Sequence, residues 1–184
     1  MNKMKIITNF TGTNIPDQYG CNAPRGQQPH GINQNSFPFE VAEIPAKASY
    51  LSWTLIDYDT VPMIGFAWIH WLVADYPVVE GPAVIPAGVS QKTTVPQGKT
   101  SMRSVVTLIR HPLWRMTALG RDLTTHYSGP RPRGGRHQLR LTVYATSAPL
   151  DLAPGFGLNQ LMATVDEKLV AQASLNLAYE RKSH

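Results

Sequence analysis

Acidic and imidazole side chains occur in three short clusters that are far apart along the chain. Residues 57–62 read Asp-Tyr-Asp-Thr-Val-Pro, residues 70–73 read His-Trp-Leu-Val, and residues 129–132 read Gly-Pro-Arg-Pro, with His137 shortly after. Each cluster lies beside an apolar, strand-like run, so only folding can bring the clusters together. Two carboxylates and two imidazoles that converge would form a small polar pocket for a phosphate or carboxylate group.

Asp57 and Asp59 are two residues apart, so on an extended chain their side chains point the same way. Two neighbouring carboxylates repel each other unless an imidazolium or hydrogen-bond donors compensate. His70 is the candidate that we expect to compensate them. A protonated imidazole beside a carboxylate can also donate a hydrogen bond to an anionic ligand.

Residues 129–135 form a Pro/Gly loop directly before His137. The prolines fix backbone angles, and the glycines allow a ligand to approach the main chain closely. Free N–H groups in such a loop can form an anion-binding concavity. Pro130 and Pro132 have no N–H group, so the donors would come from the other residues of the loop.

Each member of this set also has an ordinary interpretation. Asp57 and Asp59 suit a turn at the end of a strand, His70 suits a hydrogen-bonded core position, and His137 suits a residue that orients the loop. The interpretation as a site depends on their joint occurrence.

The same cluster could instead serve an acid–base or metal-assisted hydrolase. The chain contains neither a His-Glu-x-x-His nor a Gly-x-Ser-x-Gly motif. Cys21 lies in a polar loop and would act as a nucleophile only if a histidine approached it.

Alternating apolar residues predict the strands that position these clusters. Residues 49–56 alternate and lead directly to Asp57, residues 67–74 read as a strand buried on both faces, and residues 138–145 alternate again. Residues 86–103 read as loop, and residues 104–109 as a short strand or the start of a helix.

The C-terminal part changes its period. Apolar residues from Leu158 to Ala173 recur at helical spacing, with a second helical turn beginning near Thr164, and residues 174–179 alternate as a last strand. The whole pattern predicts a β-rich α+β domain with short helices near the C-terminus.

Composition favours one domain. The 184 residues are 42% hydrophobic and include 14 Gly, 15 Pro and a single Cys, which suits short strands, shaped loops and no internal disulfide. Residues 1–34 are predicted to be an extended coil that packs on or leads into a domain of residues 35–184. No signal peptide or transmembrane segment is visible, and we expect a cytoplasmic protein.

The net charge of +5 is concentrated in one segment. Residues 99–140 contain nine Lys or Arg and one acid, Asp122. Such a segment can steer anions, and a solvated, Arg-rich surface is the alternative. Because neither zinc-finger spacing nor interleaved aromatic residues occur, we expect no nucleic-acid partner.

In these motifs the chain resembles the phosphatidylethanolamine-binding protein family, in its bacterial and archaeal branch of Raf-kinase-inhibitor-like proteins. The family's Asp-Pro-Asp-Ala-Pro motif is matched loosely by residues 57–62, and its His-rich aromatic strand is matched by residues 70–73. Its Gly-x-Pro-Pro loop, followed by His-Arg-Tyr and a strand ending in Tyr-Ala, is matched by residues 129–145. Residues 169–181 resemble its closing helix and strand.

The resemblance implies a large central antiparallel β-sheet packed on a smaller sheet. It also implies non-catalytic binding of small anionic or phosphorylated ligands such as phosphoethanolamine-like head groups, without a cofactor, metal ion or catalytic residue. In some members it implies modulation of a partner enzyme such as a kinase, and a homodimer is compatible with the sequence. Carried over by position, the ligand-binding residues are Asp57, Asp59, His70, Gly129, Pro130, Pro132 and His137.

Two departures from the family pattern affect the expected pocket. Tyr58 replaces the first proline of the acidic motif, and Leu139 replaces the aromatic residue of His-Arg-Tyr. The pocket is therefore expected to differ in size and preference, with Arg131, Arg133 and Arg136 compensating electrostatically at its rim.

Overall fold

Two antiparallel sheets of unequal size form the protein, which confirms the predicted fold class. The computed structural model describes residues 3–182, apart from the side chains of Val106, Trp114 and Arg115. Within that range the larger sheet has the strand order β4-β3-β6-β7 and the smaller one β1-β2-β5. The strands are β1 Lys5–Ile7, β2 Phe39–Ala42, β3 Tyr50–Asp57, β4 Trp68–Pro77, β5 Ala83–Ile85, β6 Arg136–Thr146 and β7 Leu169–Glu180.

A chain of aromatic rings fills the main core. Trp53 packs edge-on against Trp71 with ring centroids 5.2 Å apart, and Trp71 packs edge-on against Tyr127 at 5.4 Å. Phe37 and Phe39 extend the chain through Tyr127 and Trp53. Such pairs add about 0.5–1.5 kcal/mol each beyond the burial of their area. Phe37, Trp53, Trp71 and Tyr127 are therefore core residues and not a platform for stacking a ligand.

Strand β4 lies at an edge of the large sheet, yet it is buried on both faces as predicted. Trp71 and Val73 belong to the main core, whereas Leu72 packs in a second core cluster with Leu161 of the long C-terminal helix. The outer edge of β4 is covered because the N–H of Gly98 donates to the carbonyl of Leu72 at 3.0 Å. This cover keeps the edge from pairing with another chain.

The helices are short and more widely distributed than predicted. In the described chain they are α1 Val61–Ile64, α2 Val89–Lys92, α3 Val105–Arg110, α4 Ala118–Thr125 and α5 Leu158–Lys168. The predicted loop of residues 86–103 thus contains a helical turn. No helix among the residues described is long and apolar enough to cross a membrane.

The helical pattern at the C-terminus ends earlier than its spacing predicted. Helix α5 runs without interruption to Lys168, and Leu169 already begins β7. Residues 169–173 pair with the end of β6, so the hydrogen bonds of the sheet override the local helical period. Tertiary pairing commonly decides such ambiguous apolar segments.

Residues 3–34 pack against the sheet and against the segment before the Pro/Gly loop. They contain β1 and three 3-10 turns, Asp17–Tyr19, Arg25–Gln27 and Pro29–Gly31. The N–H of Ile15 donates to the carbonyl of Ala178 at 2.8 Å, and the Tyr127 hydroxyl donates to the carbonyl of Tyr19 at 2.7 Å. The division at residue 34 stays a prediction, although the coil packs closely on the sheet.

Gly129 joins this coil to the Pro/Gly loop. Its N–H donates to the carbonyl of Asn33 at 2.7 Å. A Cβ atom at this position would lie 2.6 Å from the carbonyl oxygen of Tyr19 and 3.0 Å from Cβ of Asn33. Only glycine therefore permits this approach of the two backbones.

Gly129→Ala should lower the free energy of unfolding by about 1–3 kcal/mol, because the backbone of the coil must move away from the loop. Gly134→Ala is the matched control, since nothing lies within 4 Å of its Cβ position, and we expect a change within about 0.5 kcal/mol. Urea denaturation of both variants measures the difference. Equal stability of the two variants would contradict the close packing at Gly129.

Candidate functional site

A cavity of about 420 Å³ opens where β3 ends and where β4 and β6 begin. Asp57, His70 and His137 all line it. Strand β3 pairs with both β4 and β6, and Asp57 lies opposite Trp68 on one side and Leu139 on the other. His137 lies two residues before Leu139, so its side chain shares a face of the sheet with Asp57. The pairing of β3 with β4 shifts register at His70, and this β-bulge turns the His70 side chain towards the same cavity.

Asp57 and His137 form a buried hydrogen-bonded pair in the lining of the cavity. Nδ1 of His137 lies 2.6 Å from Oδ2 of Asp57, and the side chains are only 8% and 5% exposed, respectively. The other carboxylate oxygen, Oδ1, accepts the N–H of Asp59 at 2.9 Å. Both oxygens of Asp57 therefore accept a hydrogen bond within the protein, and the pairing fixes the orientation of the His137 ring.

His70 is fixed by the backbone and not by an acid. Its Nδ1 lies 2.6 Å from the carbonyl oxygen of Ser128, which can only accept, so Nδ1 carries the proton. The N–H of Ser128 donates back to the carbonyl of His70 at 2.9 Å. Within residues 3–182, Nε2 of neither His70 nor His137 has a hydrogen-bond partner, so both atoms remain for a ligand.

Burial governs the protonation of His70. Desolvation lowers the pKa of His70 below its ordinary value, the Ser128 carbonyl and the Asp57 carboxylate raise it, and His137 lowers it further. The net direction is downward. Without a ligand, the ring is therefore neutral at pH 7, with Nε2 as a hydrogen-bond acceptor.

The expectation that Asp57 and Asp59 point the same way is wrong. Strand β3 ends at Asp57, and the chain turns there because Oδ1 of Asp57 accepts the N–H of Asp59. Asp59 is exposed, does not line the cavity, and accepts the N–H of Gln138 at 2.7 Å. The period of two holds only on an extended chain, and His137, not His70, pairs with the buried acid.

The Pro/Gly loop supplies one wall of the cavity. Gly129 and Pro132 line it, whereas Pro130 is buried outside the lining and its carbonyl accepts the N–H of Cys21 at 3.0 Å. The structure thus brings together five of the seven predicted residues, Asp57, His70, Gly129, Pro132 and His137, and leaves Asp59 and Pro130 outside.

Four arginines line the same cavity, namely Arg110, Arg131, Arg133 and Arg181. Arg131 and Arg133 were predicted at the rim, whereas Arg136 lies outside the lining. The sequence does not identify Arg110 and Arg181 as site residues, because Arg110 belongs to α3 and Arg181 follows β7. The two arginines reach the cavity only because elements that are distant in sequence pack together. The basic segment of residues 99–140 contains Arg110, and no comparable sequence feature indicates Arg181.

The N-terminal coil forms another wall, which the sequence did not indicate. Cys21, Gln28 and Asn33 belong to the lining. Burial raises the pKa of the Cys21 thiol, against the charges of Arg181 and Arg131 and a hydrogen bond with Tyr179, which lower it. A thiol with a raised pKa is a poor nucleophile at neutral pH.

Apolar side chains complete the cavity. Met63, Ile64, Trp68 and Met102 line it. Leu139, which occupies the aromatic position of the family motif, is 1% exposed, belongs to the main core and does not reach the lining. Tyr58 is 50% exposed and packs on the Arg140 guanidinium outside the cavity. In the part of the chain described, no group of three His, Cys, Asp or Glu side chains could hold a metal ion.

Comparison with known proteins gives the following similarities. A family model described as phosphatidylethanolamine-binding protein matches residues 6–180. The uncharacterised protein YxkA of Bacillus subtilis (strain 168) is 34% identical over 163 residues, which cover 89% of this chain and 92% of YxkA.

Two crystal structures share the fold. CT736 of Chlamydia trachomatis, described as a homologue of phosphatidylethanolamine-binding protein, matches with a TM-score of 0.73 at 22% identity, covering 99% of this chain and 100% of that chain. YbcL of Escherichia coli is described as a member of the mammalian phosphatidylethanolamine-binding protein family. It matches with a TM-score of 0.70 at 15% identity, covering 98% of this chain and 100% of YbcL.

Asp57→Ala should lower the free energy of unfolding by about 3–5 kcal/mol, because it leaves the buried His137 ring without its partner. Asp59→Ala is the matched control two residues away. It removes an exposed carboxylate, and we expect a loss of about 1 kcal/mol or less. Chemical denaturation at neutral pH compares the two variants, and equal losses would show that the buried pair has no special role.

Proposed function

The chain belongs to the phosphatidylethanolamine-binding protein family, and from this membership we propose that it binds a small anionic or phosphorylated group without catalytic turnover. The ligand would be a phosphoethanolamine-like head group or a similar anion. Its binding place would be the cavity around Asp57, His70 and His137.

The charge of the cavity lining is the observation that carries this proposal. Among the described side chains, four guanidinium groups face one carboxylate, that of Asp57. Low-dielectric walls focus such a field into the cavity and raise the local concentration of anions. The volume of about 420 Å³ also suits a small ligand.

The Asp57 carboxylate repels a bound anion less than a free carboxylate would, because both of its oxygens already accept hydrogen bonds within the protein. Oδ1 and Oδ2 of Asp57 accept bonds from Asp59 and His137. In the proposed complex Asp57 orients the His137 ring, so that Nε2 is available to the ligand. His70 would supply a second Nε2, and it would donate to the anion after taking up a proton.

The geometry favours binding over hydrolysis. The Asp57–His137 pair resembles the orienting half of a nucleophile-activating triad. Within residues 3–182, however, no hydroxyl or thiol is hydrogen-bonded to Nε2 of either ring. Modulation of a partner enzyme and a cytoplasmic location stay predictions from the family resemblance.

Calorimetric titration with phosphoethanolamine and with sulfate tests the proposal. His70→Gln should weaken binding about tenfold or more, because a hydrogen bond to a charged group contributes about 1.5–3 kcal/mol. His126→Gln is the matched control, since His126 pairs with Asp122 and does not line the cavity. No saturable binding of either anion by the native protein would reject the proposed function.

Sulfate affinity should rise as the pH falls from about 8 to about 6. Burial lowers the pKa of His70 in the free protein, and a bound anion raises it again, so the complex holds more protons than the free protein. Affinity then increases by up to about tenfold for each pH unit. Sulfate itself does not titrate in this range. A pH profile unchanged by His70→Gln would exclude His70 as the group that takes up the proton.

The rim arginines should contribute through screened attraction. The double variant Arg110→Gln and Arg133→Gln should weaken sulfate binding by roughly three- to tenfold at low ionic strength, and less in high salt. Arg121→Gln with Arg136→Gln removes the same net charge from exposed residues outside the lining. If both double variants lose affinity equally, the effect comes from overall charge and not from the cavity.

A further inference from the structure

An apolar face lies beside the mouth of the cavity. We define it by five residues of the segment that runs from α3 to α4: Val105, Ile109, Leu113, Met116 and Leu119. Their exposed fractions are 64%, 74%, 69%, 80% and 43%. Leu108 and Leu123 of the same helices are buried at 6% and 1%, so the helices are anchored by other side chains and these five are not needed for the core.

The position of this face links it to the cavity. Thr107 and Arg110 of α3 and His111 after it line the cavity, so Val105 and Ile109 lie on a helix that forms its wall. On the same rim, Met63 of α1 lines the cavity and is 51% exposed. A flat partner that covered the apolar face would therefore meet the cavity mouth.

The charges around the face are almost all positive. Arg110 and Arg121 are exposed on the same segment, and Lys99 is exposed just before it. Between residues 99 and 140 the only acid is Asp122, and its carboxylate lies 3.1 Å from the His126 ring. The segment thus combines exposed large apolar side chains with an excess of cations, which is the composition of protein surfaces that lie on anionic membranes.

We propose that this apolar face docks the protein on an anionic lipid surface, with the aliphatic side chains in the headgroup region and the arginines against lipid phosphates. The side chains of Ile109 and Met116 are 74% and 80% exposed, so they project from the surface and do not line a groove. A lipid interface can accept such side chains because it requires no complementary shape. A second copy is disfavoured because two such faces would bring identical basic residues together. The inference concerns a surface outside the ligand site and does not depend on the proposed function.

Vesicle co-sedimentation tests this proposal with the whole chain. We use vesicles of phosphatidylcholine alone and of phosphatidylcholine mixed with phosphatidylglycerol. The native protein should bind the mixed vesicles, lose binding in high salt, and bind pure phosphatidylcholine much less. The double variant Ile109→Ser and Met116→Ser should lower the partition coefficient about tenfold or more.

Val79→Ser with Val84→Ser is the matched control, because these valines are 69% and 64% exposed outside the apolar face. This control should bind like the native protein. Binding of the native protein to mixed vesicles, with loss only in the Ile109→Ser and Met116→Ser variant, would support docking even if calorimetry found no anion in the cavity.

Three results would overturn the proposal. The first is an absence of native binding to mixed vesicles at low salt. The second is equal loss in the two double variants. The third is a native dimer in sedimentation equilibrium that Ile109→Ser with Met116→Ser converts to a monomer, which would make the face an interface between copies of this chain.

Discussion

The buried hydrogen bond between Asp57 and His137 is the constraint on which the arrangement of the cavity depends. A carboxylate that is 5% exposed must be paired, because removing it from water costs several kcal/mol. His137 meets this requirement from the neighbouring strand, and the turn after β3 contributes the N–H of Asp59. The sheet thus places an acid and a base where neither can move freely, and the imidazole is held with one nitrogen left for a ligand.

The electropositive character of the cavity follows from elements that are distant in sequence. The Pro/Gly loop is held against the N-terminal coil through Gly129, and α3 and the residue after β7 add guanidinium groups to its walls. His70 is clamped by two hydrogen bonds with Ser128, so its ring does not rely on a charged partner. A bound anion would accept hydrogen bonds from groups on several elements that are already held in place. Such preorganisation reduces the entropy cost of binding.

Alternation predicts the strands that carry Asp57 and His137, and a continuous apolar run predicts the strand that contains His70. The convergence of these three residues on one cavity could be predicted from their joint occurrence beside strands. Asp59 was misplaced because a rule for extended chains was applied across a turn. Cys21 and Arg181 could not have been found, since they meet at the cavity only through contacts between the two ends of the chain. Likewise, residues 169–173 have a helical period, and only pairing with β6 makes them a strand. Local sequence patterns indicate the helices and strands, whereas contacts between distant segments determine which side chains line the cavity together.

The most direct measurement of the central claim is the ¹⁵N NMR spectrum of the imidazole side chains during a titration with sulfate at constant pH near 7. The account predicts that both rings carry their proton on Nδ1 in the free protein, and that the Nε2 resonance of His70 moves towards the protonated position as sulfate saturates. If the chemical shifts of His70 and His137 stay constant while calorimetry shows that sulfate binds, the anion lies elsewhere and the account is contradicted.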